Sequence, residues 1–184
     1  MHMGMKAFKW SVFLAFAFLF PLKSHAKSAI ETAGDFLALM PAYAAVYSLL
    51  LEDYEGCVQL GTAGLFTLGV VHGLKYAVGK PRPYQESWER GVSFPSGHTS
   101  SAFLGAAYIQ RRYGLLPSLP AYAAAAFVAY SRVYAKQHDW VDVTVGAAFG
   151  ILFGYLFVHP YKNKLFLSLG GDTKSVTASV HWVF

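Results

Sequence analysis

The chain has 184 residues, enough for one domain of ordinary size. Charged residues make up 14% and hydrophobic residues 55%, against about 25% charged in a soluble globular chain, a balance that points to a membrane protein. The net charge of +5 comes from scattered cations without a basic stripe, which argues against a nucleic-acid partner, and the single Cys57 excludes an internal disulfide framework.

Residues 1–26 read as an export signal. Lys6 and Lys9 precede an apolar run over 10–20, and Ser24-His25-Ala26 offers a small-x-small cleavage site. Retained, the same segment is a first transmembrane helix. Five apolar stretches follow, over 36–51, 57–78, 101–109, 115–130 and 143–158. Most are shorter than the ~20 residues of an ordinary span. They predict an all-α transmembrane bundle of five to six helices. The small residues Gly61, Gly64 and Gly69, Ala123 to Ala126, and Gly146, Gly150 and Gly154 predict close helix packing. The last three read as an internal seam in preference to a dimer face.

Counting crossings from an outer start at Lys27 puts the turn 52–55 inside and the loop 79–96 outside. Arg111 and Arg112 then fall inside, 131–142 outside, and Lys162 and Lys164 inside, as the positive-inside rule prefers. The acidic turn at 52–55 departs from that rule. The tail, 163–184, alternates at period two across Gly170-Gly171-Asp172 and reads as a short accessory β-hairpin.

Three polar clusters stand out in this charge-poor chain, and the crossing count sends all three to the outer face. The first is Lys75, six residues, then Arg82-Pro83. Gly79, Pro81 and Pro83 are expected to end the helix carrying Lys75, leaving Arg82 on an extended loop. The second is Pro95-Ser96-Gly97-His98, a turn opening a helix whose backbone N–H groups suit an anion. The third is Ser131-Arg132, five residues, His138, three residues, Asp142. On one helix His138 and Asp142 would share a face, so that the carboxylate fixes the imidazole and leaves its other nitrogen nucleophilic. His98 is then available as a general acid. His72, three residues before Lys75, is a candidate supporting residue; Asp139 reads as solvent-facing, and Lys80 and Lys136 as rim charges.

Lys75, Arg82 and Arg132 form an anion-handling set, since phosphoryl transfer asks mainly for positioning and charge neutralisation. His98, His138 and Asp142 also make a conceivable two-histidine, one-carboxylate metal set. Three surrounding cations disfavour a metal, so no metal is expected.

The joint pattern resembles the type-2 phosphatidic acid phosphatase superfamily, matching all three clusters over about 57–158. The resemblance implies a helical bundle with its site at the outer end, no required cofactor, and a phosphatase domain over 27–162. It implies that His138 is a nucleophile forming a phosphohistidine, that Asp142 orients it and that His98 protonates the leaving group. Lys75, Arg82, Ser96, Gly97 and Arg132 would hold the phosphate.

The expected function is a metal-independent phosphomonoesterase or pyrophosphatase acting on a membrane lipid phosphate. It would sit in a bacterial inner membrane with the site facing the periplasm. Candidate substrates are an isoprenoid pyrophosphate, phosphatidylglycerol phosphate, phosphatidic acid and a lipid A phosphate. A soluble exported acid phosphatase and a non-enzymatic binder of anionic lipid are the alternatives. The second needs only the cations and leaves His98, His138 and Asp142 unexplained.

Overall fold

Capping chemistry sets the helix boundaries. Ser28 opens α1 (Ala29–Leu37), its Oγ accepting from Glu31 N at 3.2 Å. Helix α2 (Met40–Leu50) follows after a 41° bend, with Pro41 in its first turn. Asp53 caps α3 (Tyr54–Val78) by accepting from Gly56 N at 2.9 Å, and Gly79 ends it in the left-handed region at φ 60°. Ser96 caps α4 (Gly97–Tyr113), α5 spans Leu115–Tyr134, and a capping box of Asp139 and Asp142 opens α6 (Trp140–Phe157). This computed structural model describes residues 28–83, 92–161, 165–172 and 175–182, so the expected export segment 1–26 lies outside it.

The fold is an all-α bundle wrapped around α4, which packs against α2, α3, α5 and α6. Ala102, Leu104, Ala106, Ala107 and Tyr108 of α4 are all buried. The stripe Gly146, Gly150, Gly154 lies against it. A Cβ at these positions would stand 2.5 Å from Ser96 O, 2.3 Å from Ser100 O and 2.7 Å from Ala107 Cβ respectively. Only hydrogen on these Cα atoms lets the α6 backbone approach α4 so closely. The stripe is thus an internal seam.

The same reading does not extend to α3. A Cβ at Gly61 or Gly69 would meet nothing within 4 Å, and one at Gly64 only Leu104 at 4.0 Å. Of Ala123 to Ala126, only Ala125 is buried. Small residues on those faces leave them open, not tightly packed.

The count of five crossings is also revised. Among the described residues α3 and α6 are long and apolar enough to cross a membrane, and α1 with α2 makes a third if the bent pair is one span. Helix α4 has 17 residues and is sheathed by its neighbours, so small and polar side chains suffice along it. The outer helix faces are apolar, with Leu65, Phe66, Leu68, Leu116, Leu152 and Leu156 all exposed. Such a surface suits lipid, and the protein belongs in a membrane.

Arg112, which the crossing count put on the inner side, is paired within the fold. It is buried, its Nε donating to Asp53 Oδ2 at 2.7 Å and its Nη2 bound to Oδ1. Tyr113 Oη donates to the same carboxylate at 2.8 Å. Burial pushes the Asp53 carboxyl up, but Arg112, the Gly56 N–H and Tyr113 outweigh it and hold it below its ordinary range. The acidic turn at 52–55 therefore has a local partner. Beyond the helices the backbone of Leu165–Asp172 (β1) pairs antiparallel with Ser175–Trp182 (β2).

Candidate active site

Helices α3 and α5 end where α4 and α6 begin, and this alternation gathers the three clusters. Lys75 lies in the last turn of α3, Arg82 on the loop behind it, and Ser96, Gly97 and His98 at the start of α4. Arg132 lies in the last turn of α5, with His138 and Asp142 at the entry to α6. Backbone bonds lock the ends together: Ser96 N donates to Asp142 O at 2.9 Å, and His138 N to Arg132 O at 3.3 Å. Lys75 Nζ donates to Ser93 O at 3.1 Å and Val92 O at 3.3 Å.

His138 does not share a helical face with Asp142. It precedes Asp139, the N-cap of α6, while Asp142 is the third residue inside. Capping brings them together. Asp139 N donates to Asp142 Oδ2 at 3.2 Å, and the same oxygen stands 3.4 Å from His138 Nδ1. His138 is 4% exposed and Asp142 fully buried. The Nδ1 atom has no hydrogen-bond partner among the described residues, so the pair is held close without being tightly bonded. Burial pushes the His138 imidazole below its ordinary value; Asp142 opposes this, and the Lys75 and Arg82 charges reinforce it. The ring is neutral at neutral pH, the form a nitrogen nucleophile needs.

The cations sit within reach of one another. Burial, then the Arg132 charge, push the Arg82 guanidinium down. Arg82 Nε is buried with no acceptor among the described residues. A crowd of cations with an unsatisfied donor suits a bound anion. The Ser96 hydroxyl accepts from Thr99 N at 3.4 Å and pairs with Thr99 Oγ1 at 3.0 Å, so it acts first as a helix cap. The first-turn N–H groups that follow have no intrahelical acceptor. His72 is exposed on α3 and is not seated among these groups.

Three acting side chains were not foreseen in these positions. Asp35 of α1 accepts from Arg132 Nη1 at 2.6 Å, and the same oxygen lies 3.4 Å from His98 Nε2. Arg132 is further held by Glu31 O at 2.7 Å and Ser131 Oγ at 3.1 Å. Gly34 makes room for this, since a Cβ there would stand 2.0 Å from Ser131 Oγ. Asp139 is the N-cap of α6 and pairs with Lys80, not a plain solvent-facing acid. Lys80 reaches inward to Asp142 Oδ1 at 2.8 Å instead of lining a rim. An acid beside an apolar run in so charge-poor a chain was the available signal for Asp35. Among the described residues no group of three or more His, Cys, Asp or Glu is arranged to hold a metal ion.

The profile of the PAP2 superfamily matches residues 56–166, which takes in every residue of the three clusters. A lipid A 4'-phosphatase of Helicobacter pylori is 35% identical over 188 aligned positions, covering 92% of this chain and 93% of that protein. A lipid A 1-phosphatase of Porphyromonas gingivalis is 35% identical over 111 positions, which span 59% of this chain and 23% of that longer protein. The crystal structure of Aquifex aeolicus LpxE superposes with a TM-score of 0.55 at 26% identity, covering 71% of this chain and 87% of that one.

Proposed function

The chain belongs to the PAP2 superfamily and is a phosphatase, and on that premise we propose that it removes a phosphate monoester from a lipid A-type glycolipid through a phosphohistidine on His138. The observation that carries this is the meeting of His138, held 3.4 Å from Asp142 and kept neutral, with the Lys75 and Arg82 cations at one end of the bundle. The near full-length likeness to a lipid A 4'-phosphatase favours the 4' position.

Lys75, Arg82, Arg132 and the N-terminal N–H groups of α4 at Gly97 neutralise the phosphoryl oxygens. Ser96 caps that helix and supplies a hydroxyl beside it. His138 attacks phosphorus through Nε2 while Asp142 at Nδ1 stabilises the positive ring that forms. His98 gives a proton to the leaving sugar oxygen. It then takes one from the water that cleaves the phosphohistidine, returning both histidines to their starting state.

The reading includes an inner-membrane location with the site on the periplasmic face. The three clusters gather at the start of α4 whereas Arg111 lies in its last turn, and with the positive-inside rule this supports that orientation. The catalytic unit is the helical domain over 27–162, and 1–26 and 163–184 are an export or anchoring segment and an accessory tail.

The test is phosphate release by detergent-solubilised protein from lipid A, phosphatidylglycerol phosphate, an isoprenoid pyrophosphate and phosphatidic acid, with EDTA throughout. Release from lipid A that persists in EDTA and disappears in His138→Ala is the expected result. Release from another lipid alone overturns the substrate, and loss in EDTA overturns the mechanism.

A further inference from the structure

Asp142 is fully buried, and its carboxylate is divided between two sides. Oδ2 accepts from Asp139 N and faces His138 Nδ1, whereas Oδ1 accepts from Lys80 Nζ at 2.8 Å. Lys80 also binds the Asp139 carboxylate. The Lys80 backbone is fixed on both sides. Gly79 ends α3 just before it, and its carbonyl accepts from Ser93 N at 2.8 Å and Ser93 Oγ at 3.3 Å. Pro81 then bridges to Val92.

We propose that Lys80 is a positioning residue for the His138–Asp142 pair: it holds one Asp142 oxygen so that the other faces His138, and its charge keeps the imidazole unprotonated. The proposal rests on the phosphohistidine reading above and adds a part to it. Without Lys80, the Asp139 and Asp142 carboxylates would lie side by side with no cation bonded to either among the described residues. Uncompensated negative charge beside an imidazole favours its protonated form, which has no lone pair with which to attack.

The other charged groups acting on His138 are Lys75 from α3 and Arg82 from the loop; Arg132 meets it through its carbonyl, which accepts from the His138 N–H, while its guanidinium binds Asp35. These cations stand towards the anion pocket. Lys80 approaches from behind, through Asp142. It lies five residues after Lys75 and two before Arg82, so one loop carries both the phosphate clamp and the support of the nucleophile.

The test uses full-length protein in detergent with Lys80→Gln, Lys80→Arg and wild type. Two readouts are taken: kcat/KM against pH on a soluble phosphate ester, and NMR titration of the His138 imidazole in histidine-labelled protein, assigned by its loss in His138→Gln. Lys80→Gln is expected to move the acid limb and the His138 titration to higher pH. Its rate should fall about tenfold at pH 6 and stay within about threefold at pH 8.5. Lys80→Arg should keep the wild-type profile.

A raised KM with His138 titrating as in wild type would make Lys80 a substrate-binding charge and overturn the proposal. Lower thermal stability with an unmoved titration would make it structural only, with the same consequence. Should Lys80→Gln fail to fold, Lys80→Met, which keeps the aliphatic stem and removes the charge, must show a shift in the same direction, and no shift overturns the proposal. Full activity in His138→Gln would sink the phosphohistidine reading by itself, and the imidazole titration would still decide the role of Lys80.

Discussion

Gly146 stands so close to Ser96 that a Cβ on it would lie 2.5 Å from the Ser96 carbonyl oxygen. One turn earlier, Asp142 O accepts the Ser96 N–H at 2.9 Å. The anion-binding turn of α4 and the nucleophile pair of α6 are therefore set against each other by backbone, with nothing between to absorb an added methyl group. Gly146→Ala is expected to push α6 away from α4 and lower kcat by about a hundredfold, because misplacement of about 1 Å is costly in an assembled site. Gly69→Ala, where a Cβ meets nothing within 4 Å, should keep full activity. Initial rates and thermal midpoints of the two variants in detergent make the comparison.

The acid limb of the pH profile should report His138. Burial first, with the charges of Lys75 and Arg82, holds this imidazole below its ordinary value of 6.5 despite Asp142. Activity should therefore persist below pH 6.5 and fall only as the lowered midpoint is crossed. The stability effect has the same direction. Unfolded chains bind a proton below about pH 6.5 that the folded site resists, so stability declines from there towards the folded midpoint. Measuring kcat/KM and the melting temperature over the same buffers checks both.

Asp35 shares one oxygen between Arg132 and the imidazole of His98. Asp35→Asn keeps the shape and removes the charge, so both partners lose their anchor. Turnover of an alkyl phosphate, whose leaving oxygen needs a proton, should fall by about tenfold or more. Turnover of p-nitrophenyl phosphate, whose leaving group needs none, should fall less. Equal losses on both esters would limit Asp35 to holding Arg132.

At the other end of the bundle Asp53→Ala would strand Arg112, whose side chain is 2% exposed. Removing one member of a buried pair costs about 3–5 kcal/mol. A large fall in thermal midpoint is expected, with kcat at low temperature unchanged because no group of the candidate site touches Asp53. Melting curves and rates on the same preparation test this.

The sequence made the three clusters and their common end legible because each combines a helix-ending or helix-starting signal with an unusual charge. Gly79 stops α3 as Pro81 and Pro83 suggested, and Ser96 caps α4. Hydropathy also carried the membrane class. It was less informative for α4, whose Ser, Thr and Arg are covered by other helices and whose crossing status rests on its neighbours. The roles of Asp35, Lys80 and Asp139 depend on contacts made across the fold. Asp35 meets Arg132 97 positions away, and Lys80 meets Asp142 62 positions away, distances at which local spacing carries no signal. The His138–Asp142 pair was legible as a pair, but its geometry comes from an N-terminal cap and not from the periodicity of a helix.

The central claim is a phosphoryl group carried on His138. The most direct measurement is a rapid acid-free quench of the protein with a ³²P-labelled phosphate ester, followed by peptide mapping of the label. The account predicts an acid-labile, base-stable phosphoryl group on the peptide containing His138, absent in His138→Gln, and accumulating in His98→Ala when the ester is p-nitrophenyl phosphate, whose leaving group needs no proton, so that only breakdown is slowed. Label on another residue, or turnover by His138→Gln at the wild-type rate, would contradict it.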